Sequence, residues 1–282
     1  MLVEENKDCL KNILDSFRSK NQLIGFVPTM GALHQGHISL IEKAKKECDI
    51  VVCSIFINPT QFNNKKDLAI YPSNISRDKK MLSDANCDIL FLPNVKTMYP
   101  DELVSKKYLL EGLDSDFEGK KRPGHFDGVC TIVHQFFNLI RPNKAYFGQK
   151  DFQQLTIIKH LVKIQKLNIE IVACPIIRES NGLAKSSRNV HLSESAFQNC
   201  SAIYESLKHA KVLFHEERIN EIIPTITSML KKIPNSKIEY VNLAYTESLK
   251  KVDKIDHNLA MVLLVAIKVE NVRLLDNILL KD

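Results

Sequence analysis

Apolar and polar positions alternate between two periods along the first 175 residues. Leu23 to Val27 is a short apolar run ended by Pro28, and Ile50 to Ile57 is an unbroken β-rich run. Such a run suits a strand buried on both faces. Asp88 to Leu92, Ala145 to Phe147 and Ile169 to Ala173 read as further strands. Between them lie helical spacings. Gly36 to Glu47 places Ile38, Leu40, Ile41 and Ala44 on one side, and Ser76 to Ala85, Phe126 to Ile140 and Asp151 to Gln165 behave alike. Strand and helix in alternation predict a parallel sheet with right-handed crossovers.

The pattern changes after Pro175. Residues 176–189 collect Gly, Ser, Asn and Arg and read as a hinge or functional loop. Ser193 is a suitable N-cap for one helix running to about His215, and a second spans about Asn220 to Lys231. Three strand-like runs follow, at Lys237 to Ala244, Leu259 to Ile267 and Val269 to Asn277. The expected organisation is an α/β domain over 1–176, with a Rossmann-like parallel sheet flanked by helices, then a smaller α+β lid domain over 177–282.

Composition narrows the class. The chain has 282 residues, 44% hydrophobic and 26% charged, which excludes extensive disorder. Thirty-nine basic against 33 acidic residues give a net charge of +6. That excess suits an anionic substrate and is too mild to argue for nucleic acid. The first residues read as no secretory leader, and no apolar run is long enough to span a bilayer. Seven scattered cysteines without a C-x-x-C pair argue for buried thiols in a reducing cytoplasm, against disulfides or zinc.

With only nine glycines, their clusters stand out. Pro28 to His37 (PTMGALHQGH) lies between a strand and a helix, where a helix start offers free N–H groups to phosphate. His34 and His37, three apart, share a face of the first turn; the alternative is a tight turn with two solvated histidines. The glycine spacing is that of a P-loop, but His37-Ile38 replaces Lys-Ser. In SIFINPTQF, Asn58 and Gln61 suit a small polar pocket or a loop closing on itself. In RPGHFDGV, Arg122 and His125 face an anion or form an exposed basic turn. FGQKDFQQL places Lys150 at a helix start, with Gln154 one turn on and Asp151 readable as a helix-start residue. Ala184 to Asn189 sets Ser186 and Ser187 between Lys185 and Arg188, as a mobile polyanion clamp. The remaining histidines, His134, His160, His191, His209, His215 and His257, read as structural or surface groups.

Together PTMGALHQGH, SIFINPTQF, the Tyr71-Pro72 pair, RPGHFDGV, FGQKDFQQL and RESNGLAKSSRN resemble the pantothenate synthetase (pantoate–β-alanine ligase) family in order and spacing over about 22–192. RLLDN at 273–277 is similar too. The resemblance implies an ATP-dependent ligase of pantoate and β-alanine, working through pantoyl adenylate and releasing pyrophosphate and AMP. It implies magnesium and a homodimer, with no nucleic acid and no membrane. It implies that Met30, Gly31, Ala32, Leu33, His34, Gln35, Gly36, His37, Gly148, Gln149, Lys150, Asp151, Ile177, Lys185, Ser186, Ser187 and Arg188 meet ATP, with His34, His37 and Lys150 catalytic. Gln61 and Gln154 hold pantoate, and Gln61 also borders β-alanine. Asn58, Tyr71, Arg122 and His125 are supporting candidates, and Asp78 and Asp151 are the candidate magnesium contacts. Two positions depart from the family pattern: Gln149 stands where Glu is common, and Lys185 where an apolar residue is usual. Lys185 either strengthens phosphate binding or points to solvent. Two other readings compete: a nucleotidylyltransferase acting on a phosphorylated acceptor, which Gln61 and Gln154 disfavour, and a synthetase-derived RNA-binding protein, which the mild charge disfavours.

Overall fold

The computed structural model describes residues 1–64, 68–252, 256 and 258–281, so His257 lies outside the described residues. The chain folds as two compact units, Met1–Gln149 with Ile157–Pro175, and Lys150–Thr156 with Ile176–Asp282.

The first unit is a six-stranded sheet in which every recorded pairing is parallel. It comprises β1 (Leu2–Glu4), β2 (Ile24–Thr29), β3 (Ile50–Ile55), β4 (Ile89–Phe91), β5 (Lys144–Gly148) and β6 (Glu170–Cys174), in the order β1-β4-β3-β2-β5-β6. From β2 the chain steps outward to β3 and β4, then returns to lay β5 on the other side of β2. The order therefore reverses between β2 and β5, and ligands of open α/β sheets bind beyond the strand ends at such a point. The connections leaving β2, β3 and β5 there begin at Met30, Phe56 and Gln149.

The strand β2 runs through Pro28, with Pro28 opposite Ser54 and Thr29 opposite Ile55. Sequence pattern ended it at Pro28. The recorded pairing with β5 stops at Phe26↔Ala145, so the missing proline donor falls beyond that ladder. Helices α1 (Lys7–Arg18), α2 (Gln35–Glu47), α3 (Ile75–Asp84), α4 (Val95–Met98), α5 (Phe117–Lys121) and α6 (His125–Ile140) connect the strands. Phe136 of α6 stands edge-on to Phe26, Phe56 and Phe91, with centroids 5.6, 6.3 and 6.2 Å away. Leu40, Ile41 and Ala44 of α2 pack with Val27, Val51 and Cys53. Apolar side chains on both sides of the sheet explain why β3 is buried at every position.

Helix α7 (Phe152–Ile164) follows a single 3-10 turn at Gln149–Asp151. The second unit contains α8 (Glu194–Asn199), α9 (Ser201–His215), α10 (Ile219–Leu230) and an antiparallel sheet β7 (Ser236–Tyr245), β8 (Met261–Val269) and β9 (Val272–Leu279). The single helix expected after Ser193 is two. Ser193 caps α8 by accepting from the Ala196 amide at 3.2 Å. The break falls at Cys200, beside Ser201, whose hydroxyl bonds back to the Gln198 carbonyl at 2.8 Å. The core of this unit joins Ile203, Leu207, Ile222 and Ile226 to Leu263, Val265 and Leu274.

Candidate active site

The loop after β2 needs a backbone that L-residues rarely adopt. Gly31 has φ +84° and Ala32 φ +50°. Consecutive N–H groups in such a turn form a concavity that attracts anions. Here the anion is a side chain of the protein. Asp78 of α3, 1% exposed, accepts from the Ala32 amide at 2.9 Å and the Leu33 amide at 2.8 Å. The Gly31 amide donates to Thr29 Oγ1 at 3.2 Å.

Two histidines finish the turn. His34 is the N-cap of α2, with extended backbone, and its Nδ1 accepts from the Gly36 amide at 3.1 Å. His37 is the third helical residue, and its Nδ1 accepts from the His34 amide at 3.3 Å. This is a capping box in which imidazoles replace Ser and Glu. The rings lie 4.1 Å apart at 44°. An Nδ1 that accepts a backbone N–H carries no proton, so a neutral ring holds its proton on Nε2. Both imidazoles are thereby set as donors through Nε2.

The expectation of free amides at this helix start is corrected by these bonds. The N–H groups of Gly31, Ala32, Leu33, His34 and Gly36 all have partners within the protein, and that of His37 bonds the His34 carbonyl at 2.8 Å. The two imidazoles join the turn as candidate phosphate donors.

Beyond β3, Asn58 is 1% exposed and its amide is saturated. Its Nδ2 donates to Gln61 Oε1 at 3.2 Å and to the Gly128 carbonyl at 3.0 Å. Its Oδ1 accepts from Tyr99 at 2.7 Å and Thr60 at 3.1 Å. That accounts for every donor and acceptor the amide has, so Asn58 orients Gln61. Gln61 Nε2 in turn donates to Met30 Sδ at 2.9 Å. Arg122 and His125 face this turn, where an anion or solvent was expected. His125 Nδ1 lies 2.8 Å from the Gln61 carbonyl, and Arg122 Nη2 donates to the same oxygen at 3.3 Å. Arg122 Nη1 is 3.0 Å from His125 Nε2, so the proton shared with Gln61 belongs to Nδ1. Gly128 permits the approach. A methyl group there would meet the Thr60 carbonyl at 2.6 Å and the Gln61 amide at 2.7 Å. Tyr71 stacks edge-on against Phe62 at 5.8 Å. Tyr99 was not among the residues expected here, and Gly128 entered only as part of the RPGHFDGV motif.

In the second unit, Lys150 is half-buried, Asp151 exposed and Gln154 half-buried. The segment 177–185 is a narrow hairpin. The Lys185 amide donates to the Ile177 carbonyl at 2.9 Å, and the Glu179 amide to Leu183 at 2.8 Å. The Lys185 Nζ pairs with Glu179 Oε2 at 2.5 Å. Ser186 caps the following turn by accepting from the Arg188 amide at 3.3 Å, and Arg188 is exposed.

Among the described residues no group of three or more His, Cys, Asp or Glu could hold a metal ion. Asp78, a candidate magnesium contact, holds the Ala32 and Leu33 amides. No helix among the described residues is long and apolar enough to cross a membrane.

The family model described as Pantoate-beta-alanine ligase matches residues 2–279. This chain belongs to the pantoate–β-alanine ligase family. Relatives include the pantothenate synthetases of Thermotoga petrophila, 42% identical over 99% of this chain and all of that protein, and of Pseudothermotoga lettingae, 43% identical over the full length of both. The crystal structure of pantothenate synthetase from Thermus thermophilus superposes with a TM-score of 0.92 at 34% identity, covering both chains fully. That of the pantoate–β-alanine ligase from Francisella tularensis, complexed with β-γ ATP and β-alanine, gives 0.81 at 38% identity, covering 100% of this chain and 98% of that one. Membership of the ligase family, with this fold, disfavours both competing readings.

Proposed function

We propose that the chain joins pantoate to β-alanine in two steps at the expense of ATP. In the first, a pantoate carboxylate oxygen attacks the α-phosphorus, the bond to the bridging oxygen breaks, and pyrophosphate leaves. In the second, the amine of β-alanine attacks the acyl carbon of pantoyl adenylate, AMP leaves with the electron pair of the broken C–O bond, and the amine loses a proton to solvent.

The observation that carries this reading is the histidine capping box. Adenylation gathers negative charge around phosphorus and needs no proton removed from a carboxylate. What helps is fixed donors and cations at the phosphate oxygens. The Nε2–H groups of His34 and His37 supply such donors, since the helix start itself fixes their tautomer. Lys150 supplies a compact charge toward the α-phosphate. Gln61 and Gln154 hold pantoate, Gln61 also borders β-alanine, and Asn58, Arg122 and His125 hold Gln61. Gly148, Gln149 and Asp151 neighbour the nucleotide, Ile177 lines the adenine side, and Lys185 to Arg188 lie toward the triphosphate, with the Lys185 charge balanced by Glu179. ATP is taken as its magnesium complex, the ion arriving on the phosphates, where it prefers oxygens and water. The enzyme works as a homodimer in the cytoplasm.

The test is AMP formation from ATP with each organic substrate omitted in turn. Release that requires both pantoate and β-alanine supports the reaction; release independent of either overturns it. His37→Ala and Lys150→Ala are each expected to lower pantoate-dependent ATP–pyrophosphate exchange by about 100-fold or more. A near-normal rate in either variant removes that residue from the mechanism.

A further inference from the structure

Strand β9 carries Arg273-Leu-Leu-Asp-Asn277, to which the proposed reaction gives no task. Val272 and Leu274 are buried in the apolar core of the second unit, and strand alternation puts residue 276 on the same face. The residue there is an aspartate, 4% exposed. Two nitrogens of Arg178 grip it as a fork, Nη1 at 2.6 Å and Nη2 at 3.0 Å. The guanidinium lies over the Tyr204 ring, 3.7 Å from its centroid, and Nη1 also donates to the Gly182 carbonyl at 3.1 Å. Arg178 thus pins the 177–185 hairpin, which leads directly into Ser186–Arg188. The next residue on the strand, Asn277, is 2% exposed and projects from the opposite face. Its Nδ2 donates to the Lys150 carbonyl at 2.9 Å.

We propose that Asp276 and Asn277 are positioning residues of the adenylation step. Neighbours on one strand, they hold the Lys150 segment and the Lys185–Arg188 segment in fixed register with each other. The inference rests on the reading of those two segments as phosphate-directed. Burial pushes the Asp276 carboxyl above its ordinary value although Arg178 opposes it. A buried ion pair with that balance adds little stability, and apolar residues of similar size often replace such a pair without loss. A strand residue here needs only a leucine to complete the core. The acid and its arginine supply direction: a planar fork fixes where the hairpin begins, to within the reach of a hydrogen bond. Displacing reacting groups by about 1 Å costs about 100-fold in rate, so a register device of this kind acts on catalysis without touching substrate.

The experiment compares Asn277→Ala, Asn277→Asp (isosteric, with no donor) and the double variant Arg178→Met/Asp276→Leu with the parent enzyme. Three quantities are read: pantoate-dependent ATP–pyrophosphate exchange, aminolysis of supplied pantoyl adenylate by β-alanine, and the thermal midpoint. The expected result is an exchange kcat lowered about tenfold or more, with unchanged pantoate KM, near-parental aminolysis and a parental midpoint. The double variant also raises the KM for ATP. Parental exchange in a folded Asn277 variant overturns the inference. So does a loss shared equally by both half-reactions and tracking the midpoint, or failure of all three variants to fold, since each marks a structural role. Lys150→Ala separates the two readings. Parental exchange in it removes the role of Lys150 and the inference with it, whereas an inactive Lys150→Ala beside a fully active Asn277→Ala removes the inference alone.

Discussion

His34 occupies a position that helices ordinarily give to Ser, Thr, Asp or Asn. Its Nδ1 closes the helix, and the proposed reaction gives its Nε2 the donor role. The two tasks are separable. His34→Asn keeps a capping acceptor and loses the distal donor, so it is expected to hold the parental thermal midpoint and lose pyrophosphate exchange. His34→Ala loses the exchange and about 1 kcal/mol of stability as well. Equal exchange in His34→Asn and the parent, measured beside the melting curves, would remove the donor role. The three-residue spacing of His34 and His37 was legible in the sequence, because helical neighbours recur at that interval. Their capping was not, since histidine is a rare cap and the pattern suggested open amides. The part Asp78 plays in the turn escaped the sequence for a related reason. Its bonds reach Ala32 and Leu33 across more than forty residues, and no local pattern reports them.

At the scale of elements, α6 and the Asn58–Gln61 turn touch backbone to backbone at Gly128. Gly128→Ala is expected to push this turn outward and cost roughly 1–3 kcal/mol of stability. The KM for pantoate should rise more than that for ATP, because the displaced side chain is Gln61. A variant with parental melting and parental pantoate KM would contradict this account of the turn. Long periodic elements were legible: α2, α6 and β3 appear within a residue or two of their expected bounds. Short elements were not. β1 has three residues and α4 four, too few to show a period. The helix expected to be unbroken between Ser193 and His215 divides because a serine hydroxyl competes for a helical carbonyl, which apolar spacing does not register.

At the scale of the whole molecule, pH acts through groups at opposite ends of the range. Glu47 is held down at about 2, first by Lys43 and then by Lys144 and the Tyr146 hydroxyl. A carboxylate lowered in the folded state contributes stability present above its unfolded value near 4.5, and that contribution is lost as pH falls toward 2. Burial pushes the Cys87 and Cys130 thiols up to about 12. Their contribution is present below the unfolded thiol value of about 8.5 and is lost as pH rises toward 12. Urea melts across pH should therefore show both limbs. Glu47→Gln should flatten the acid limb and Cys87→Ala with Cys130→Ala the alkaline one; unaltered limbs would show that other groups govern them. Six of the seven cysteines are buried, among them Cys53, Cys130 and Cys174 of the apolar runs, and Cys9 is exposed. The assignment of Lys150–Thr156 to the second unit escaped the sequence, which suggested one boundary near 176. Within that unit Asn277 bonds the Lys150 carbonyl across 127 residues and Thr156 the Thr246 carbonyl at 3.4 Å across 90.

The carboxylate seated in the turn after β2 has one more effect. Free sulfate and orthophosphate, abundant competitors in any cell, seek the same ring of amides that a nucleotide loop usually displays. Asp78 already fills that ring, and its negative charge repels a second anion. An inorganic ion therefore finds the Ala32 and Leu33 amides already taken. A nucleotide brings further handles in its ribose, base and remaining phosphates. On the proposed reading, the built-in carboxylate trades raw anion affinity for discrimination between a triphosphate and the salts around it.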